Sequence, residues 1–215
     1  MNRISVLFAL FVLLAAAPAA GQSSSLSLSE VTEAYEALDG LQASFVQVMS
    51  SEFAGDSVRV EGSVLLSGDK YRVRTPDQTV VTDGQTTWIY TPADSQVVVN
   101  DADTGQSTVT PETFLQASAE RYAVRATSPT TRLGVPHLVL EVDATEASTR
   151  FRSVRLWVRR SDRVVTRMHA TDRNGSTIDL RLRDLSLNPE ALRGPTPFSF
   201  SPPEGVEVID LRRGE

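Results

Sequence analysis

The sequence predicts a mainly β protein: about ten or eleven strands in a strongly curved antiparallel sheet, with two or three helical segments. Three observations carry that prediction. Runs of alternating polarity are cut short by turn residues at Gly68-Asp69, Thr75-Pro76-Asp77, Asp83-Gly84 and Pro92-Ala93-Asp94. These runs follow one another as successive hairpins, which pairs neighbouring strands antiparallel. In the last long run, Ile178, Leu180 and Leu182 keep one parity whereas Leu185 and Leu187 keep the other. Both sets face one core only if a β-bulge falls near Arg183-Asp184, and a bulge bends the strand that carries it.

With 215 residues the chain is long enough for one all-β domain with its own core. Its formal charge of −6 gives it no electrostatic reason to bind nucleic acid, and the basic clusters at 150–163 and 181–183 read as strand-edge charge. Arg3 precedes an apolar run over residues 4–17, followed by Ala-Pro-Ala-Ala-Gly-Gln. A charged start, a short apolar stretch and small residues together make a secretory signal over residues 1–21, with cleavage between Ala19 and Gln22. Residues 22–215 are then a single domain. There is no cysteine, so neither a disulfide nor an acylated cleavage-site cysteine is available. The expectation is an exported, soluble protein that is not itself a lipoprotein.

After the leader, Ser27 and Glu30 make a capping box for a helix running to about Leu38. Leu28, Val31, Tyr35 and Leu38 give that helix an apolar stripe, and Asp39-Gly40 ends it with a glycine suited to the left-handed conformation. Residues 41–53 switch to strand patterning, with Phe45, Gln47 and Met49 on one face. Val58, Val60, Gly62, Val64 and Leu66 form the next strand. In the ribbon that follows, Tyr71 and Val73 oppose Lys70, Arg72 and Arg74, while Trp88 and Tyr90 oppose Thr87 and Ile89. The aromatic side chains are assigned to its apolar side. Residues 96–101 complete the ribbon, and 101–108 is a polar loop.

Thr110-Pro111 starts a second helix, 111–120, with Phe114, Leu115 and Ala119 on one side. Beyond it, Leu138, Leu140 and Val142 alternate with Val139, Glu141 and Asp143, and Val154, Leu156 and Val158 alternate with Arg155, Trp157 and Arg159. Asn174-Gly175 signals a two-residue hairpin turn between 166–171 and 176–187. A Pro-rich excursion, 189–203, leads into a last strand.

Chemistry is scarce along this chain. His137 and His169 read as edge or surface residues with no neighbours at metal-ligand spacing. No nucleophile elbow, zinc-protease helix or phosphate-binding glycine loop occurs. Asp101-x-Asp103-x-Gly105 lacks the third acidic position and the distal Glu of a calcium loop. Trp157 reads as a cation–π partner of Arg155 and Arg159. The expectation is a protein with no catalytic site, no metal and no cofactor.

Four stretches, in order, resemble the periplasmic outer-membrane lipoprotein carrier family, the LolA-type carriers. They are Leu41-Gln-Ala-Ser-Phe45-Val-Gln47; Gly62 through Arg72 with Thr82-Asp-Gly84-x-x-Trp88-Ile-Tyr90-x-Pro92; Leu156-Trp157-Val158 with Asp172-Arg-Asn-Gly175; and Phe198-Ser-Phe200-Ser-Pro-Pro203-Glu-Gly205-Val206-Glu-Val-Ile209. The resemblance implies an unclosed, strongly curved antiparallel β-barrel whose apolar concave face is lidded by helices. It implies a periplasmic monomer that takes acylated lipoproteins from an inner-membrane lipoprotein-releasing ABC transporter and passes them to an outer-membrane lipoprotein acceptor. The alternative is an exported lipid- or glycolipid-binding domain, or an envelope sensor, of the same fold.

On this reading Phe45, Val64, Leu66, Tyr71 and Val73 line an acyl-chain cavity together with Trp88 and Tyr90. Leu156, Val158 and Met168 extend it. Leu28, Val31 and Tyr35 form the lid with Phe114 and Leu115. One departure stands out: the family's Lys-Arg-Pro, whose Arg holds the lid, aligns with Leu66-Ser67-Gly68. Ser67 cannot supply a guanidinium's hydrogen bonds, so the latch is expected to differ.

Overall fold

The structure, a computed structural model, describes residues 26–53, 55–102, 111, 114, 115, 121–194 and 196–212. The leader, the loop beyond Ala102 and Ala119 lie outside the described residues; of the second helix, Pro111, Phe114 and Leu115 are described and are helical. Helix α1 spans Leu28–Glu36. The Ser27 hydroxyl accepts from the Glu30 amide at 3.2 Å, and Glu30 Oε2 accepts from the Ser27 amide at 2.9 Å, so the capping box closes both ways.

Twelve strands follow, one or two more than the pattern predicts: β1 (Leu41–Ser50), β2 (Ser57–Ser67), β3 (Lys70–Arg74), β4 (Thr79–Thr82), β5 (Thr86–Thr91), β6 (Gln96–Asp101), β7 (Tyr122–Arg132), β8 (Val135–Ala144), β9 (Phe151–Arg159), β10 (Val165–Asp172), β11 (Thr177–Leu187) and β12 (Glu207–Asp210). They form one sheet in the order β12-β6-β5-β4-β3-β2-β1-β11-β10-β9-β8-β7. Its edges, β12 and β7, do not pair with each other, so the barrel is unclosed. Neighbours are antiparallel except β12, which runs parallel to β6 because the Pro-rich excursion carries the chain back along the sheet.

The bulge stands where the parity switch requires it. Gln42 pairs with Ser186 and Ser44 with Arg183, so Asp184 and Leu185 together face Ala43, and Asp184 takes a φ of 50°. Leu182, Leu185 and Leu187 consequently all pack against one core.

Three local expectations are corrected. Gly40 is not left-handed; α1 ends at Ala37 in right-handed backbone. Glycine is needed at 40 for space, since a Cβ there would lie 2.2 Å from the Leu66 carbonyl oxygen. At Asn174-Gly175 only the glycine has positive φ (86°), and Asp172 Oδ1 accepts from the amides of Asn174 and Ser176. The turn is therefore a three-residue loop rather than the two-residue form, which needs two left-handed residues. His137 is buried, with Nδ1 2.8 Å from the Val135 carbonyl oxygen and Nε2 2.9 Å from Thr166 Oγ1.

Candidate functional site

Directly paired residues of an antiparallel sheet project to the same side, so the register assigns every side chain to a face. Val64 pairs with Val73, Val73 with Val80 and Val80 with Ile89. The next row is Leu66, Tyr71, Thr82 and Thr87. Across β1, Phe45 pairs with Leu182. Farther round, Leu180, Met168, Leu156 and Leu140 form a row, as Val165, Val158 and Leu138 do. All these rows share the inner face. Leu140, Leu156, Val158 and Met168 are 0% exposed.

Helix α1 fills the space they surround. Leu28, Val31 and Tyr35 belong to the same buried cluster as Phe45, Val64, Leu66, Val73, Leu156, Val158 and Met168, and Val31 has no exposed surface. Phe114 and Leu115 join it, the Phe114 ring meeting Tyr122 edge-on at 5.0 Å. Tyr71 packs half-buried against the cluster, where burial pushes its phenol above the usual range. The apolar stripe of α1 thus lies against the inner face of the sheet.

Trp88 and Tyr90 are corrections. Trp88 pairs with Val81 and Val99, and Tyr90 with Thr79 and Val97. Val81 in turn pairs with Arg72, which lies on the side opposite Tyr71. Both aromatic residues therefore project from the outer face. Tyr90 lies 5.9 Å from Phe200, and Arg72 Nη2 donates to the Ser199 carbonyl at 2.9 Å, so the segment leading to β12 covers this side. The inner positions of β5 are Thr87 and Ile89. Val80, Ile89 and Thr87 were missed as wall residues, and Thr87 Oγ1 is buried there without a hydrogen-bond partner.

The helix is anchored at both ends. At its exit, Ser67 Oγ donates to the Asp39 carbonyl at 2.7 Å. Asn188, left-handed at φ 50°, accepts through Oδ1 from the amides of Asp39 (2.9 Å) and Gly40 (3.4 Å), and its own amide donates to the Gly40 carbonyl at 2.8 Å. Ser67 thus supplies one hydrogen bond at the helix exit, from its hydroxyl to a single carbonyl. Along the helix, Tyr35 Oη accepts from the Val165 amide at 3.2 Å, and Glu30 lies 3.8 Å from Arg163. At the opposite end of the barrel the inner face runs out to solvent. Met49 pairs with Val58 and Ile178, and Met49, Val58 and the nearby Phe53 are exposed. A cleft of about 250 Å³ opens there, lined by Arg150, Phe151, Arg173 and Ile178 among others.

The outer face of β8–β11 is polar. Arg167, Arg132 and Arg155 lie 4.3, 5.9 and 6.0 Å from the Trp157 ring, whereas Arg159 pairs with Asp162 instead. Asp179 receives Arg167 Nε at 3.0 Å and Arg181 Nε at 2.7 Å, with His169 Nδ1 at 3.4 Å. Burial raises the Asp179 carboxyl, and the hydrogen bonds from the two guanidiniums outweigh it, so the pKa ends below the usual carboxylate range. A depressed carboxylate stabilises the fold above its unfolded pKa and loses that contribution as pH falls through the folded value. Asp179→Asn is therefore expected to flatten the acid side of a melting-temperature profile below about pH 4; an unchanged profile would mean that another group governs acid sensitivity.

Among the described residues no helix is long and apolar enough to cross a membrane, and no cluster of side chains could hold a metal ion. An unclosed, mainly antiparallel sheet wrapped around an apolar face, with a helix packed against it, defines the open β-barrel class. The chain belongs to the family of the outer membrane lipoprotein carrier protein LolA, whose model matches residues 36–199. That family has a carrier or binding fold and is not a family of enzymes.

Among solved structures, an uncharacterized conserved protein from Thermus thermophilus is 14% identical, with a TM-score of 0.52 over 86% of this chain and 98% of that one. MucB is 18% identical, with a TM-score of 0.50 over 85% of this chain and 63% of that one. A LolA superfamily protein from Nitrosomonas europaea is 14% identical, with a TM-score of 0.41 over 76% of this chain and 94% of that one. At such identities the likeness concerns the fold. No curated protein sequence matches the chain.

Proposed function

We propose that the protein is a periplasmic carrier that holds the acyl chains of lipoproteins in its interior and ferries them from the inner to the outer membrane. The observation that carries this reading is α1 itself, an amphipathic helix whose apolar stripe occupies a hydrocarbon-lined space. On this reading residues 1–21 direct export, 22–215 are the working domain, and the helix is exchanged for cargo. The inner-membrane releasing transporter loads the protein, and the outer-membrane acceptor unloads it. Loading turns on an exchange of apolar surfaces. Moving a sixteen-carbon chain out of water is worth about 12 kcal/mol, at about 0.8 kcal/mol per CH₂. A tightly fitted pocket for several chains would approach the limit of non-covalent affinity and never release them. A helix that competes for the same apolar wall lowers the net gain and keeps the cargo exchangeable.

Mass spectrometry of what co-purifies from the native periplasm without detergent tests this. Acylated lipoproteins are expected. Free phospholipid or glycolipid would reassign the cargo, and a lipid-free protein bound to a partner chain would favour an envelope sensor.

A further inference from the structure

Leu133 has no part in folding that the structure accounts for. It is 98% exposed, more than any other large hydrophobic residue among those described. It sits at the β7–β8 turn with a φ of 48°, followed by Gly134 at 77°. Two successive left-handed residues make a turn that favours Asn, Asp and Gly. A leucine there strains the backbone and recovers nothing by burial. Val135, beside it, is also exposed.

The surroundings of this tip are basic. Arg132 pairs with Val135 across the turn, lies over the Trp157 ring at 5.9 Å, and faces Arg167 and Arg181 together with their shared partner Asp179. The neighbouring β9–β10 turn is tied to it by the Arg160 amide, which donates to the Pro136 carbonyl at 3.1 Å. That turn carries exposed Arg160, without an ion pair among the described residues, and exposed Arg163. Its carboxylate, Asp162, is engaged by Arg159 at 2.8 Å. Two adjacent turns thus concentrate positive charge in a chain of net charge −6.

We propose that this end of the sheet docks on an anionic lipid surface, with Leu133 inserted among acyl chains and the exposed Arg160 and Arg163 on the lipid phosphates. A protein partner would need a broad, complementary apolar platform around the anchor, and a turn tip bearing only Leu133 and the partly exposed Val135 offers none. A lipid surface accepts a single apolar side chain without a matching pocket, and it attracts flanking guanidiniums through its charge. Because Arg163 also neighbours Glu30 of α1, docking here brings the lid up to the lipid surface. The inference does not depend on what the interior carries.

Co-sedimentation of the purified protein with phosphatidylglycerol–phosphatidylethanolamine vesicles is expected to show binding that weakens with salt and is absent on phosphatidylcholine vesicles. Leu133→Asn is expected to weaken that binding about tenfold, with a melting temperature unchanged or raised because Asn suits the turn. Arg160→Gln is expected to weaken it about fivefold. Absent binding to the anionic vesicles, equal binding to both vesicle types, or wild-type binding by Leu133→Asn each overturns the proposal.

Discussion

Asn188→Ala is expected to lower unfolding free energy by about 3 kcal/mol and to speed the uptake of an apolar guest into the interior. Two Asn188 Oδ1 bonds to the amides of Asp39 and Gly40 disappear, each worth about 1 kcal/mol. Alanine must also adopt the left-handed backbone that asparagine tolerates, which costs about another 1 kcal/mol. These losses fall on the link between α1 and the ends of β2 and β11, not on the sheet. Chemical denaturation measures the first effect, and stopped-flow uptake of a fluorescent fatty acid measures the second. Ser67→Ala removes one further bond at the same link and is expected to act in the same direction with a smaller effect. Unchanged uptake in the Asn188 variant, despite lost stability, would show that this exit link does not restrain the helix.

How far the sequence specified this arrangement depends on the range of the interactions involved. The capping box of α1 and the bulge at Asp184 were legible because each is settled by a few adjacent residues and one alternation rule. The inward faces of β3 and β9 were legible too, because charged residues mark the opposite parity, as Lys70, Arg72 and Arg74 do against Tyr71 and Val73, and Arg155 and Arg159 against Leu156 and Val158. The face of β5 was not. Apolar character assigns Trp88 and Tyr90 inward, but β5 has no charged residue at either parity, so its face is set by its register through β4, which local pattern does not encode. A second apolar layer outside, Phe198 and Phe200 against the β3–β6 region, is what makes outward aromatics stable, and it comes from far downstream in the chain. Ser67 and Asn188 were beyond reach for the same reason: they meet the Asp39-Gly40 backbone only once β2 and β11 have closed on β1.

A matched pair of substitutions turns that face assignment into a measurement. Tyr71→Glu is expected to reduce acyl-chain affinity about hundredfold at neutral pH, whereas Tyr90→Glu is expected to leave it within about twofold. Both tyrosines are half-buried on strands of the same ribbon, so the chemical change is the same and only the face differs. On the inner face, a bound chain would strip water from the new carboxylate beside Leu66 and Val73. A desolvated carboxyl avoids that cost by taking up a proton, and raising its pKa by about two units costs about 3 kcal/mol, a factor of about a hundred. The fold survives because Tyr71 keeps partial exposure in the lidded state, unlike Leu156 or Met168, where a charge would be wholly buried. Protonation supplies the control. Below about pH 5 the glutamate becomes neutral, and binding by the Tyr71 variant is expected to recover, which lost folding would not permit. Equal losses in both variants would make the effect one of general charge, and an undiminished Tyr71 variant would move the acyl chains away from β3.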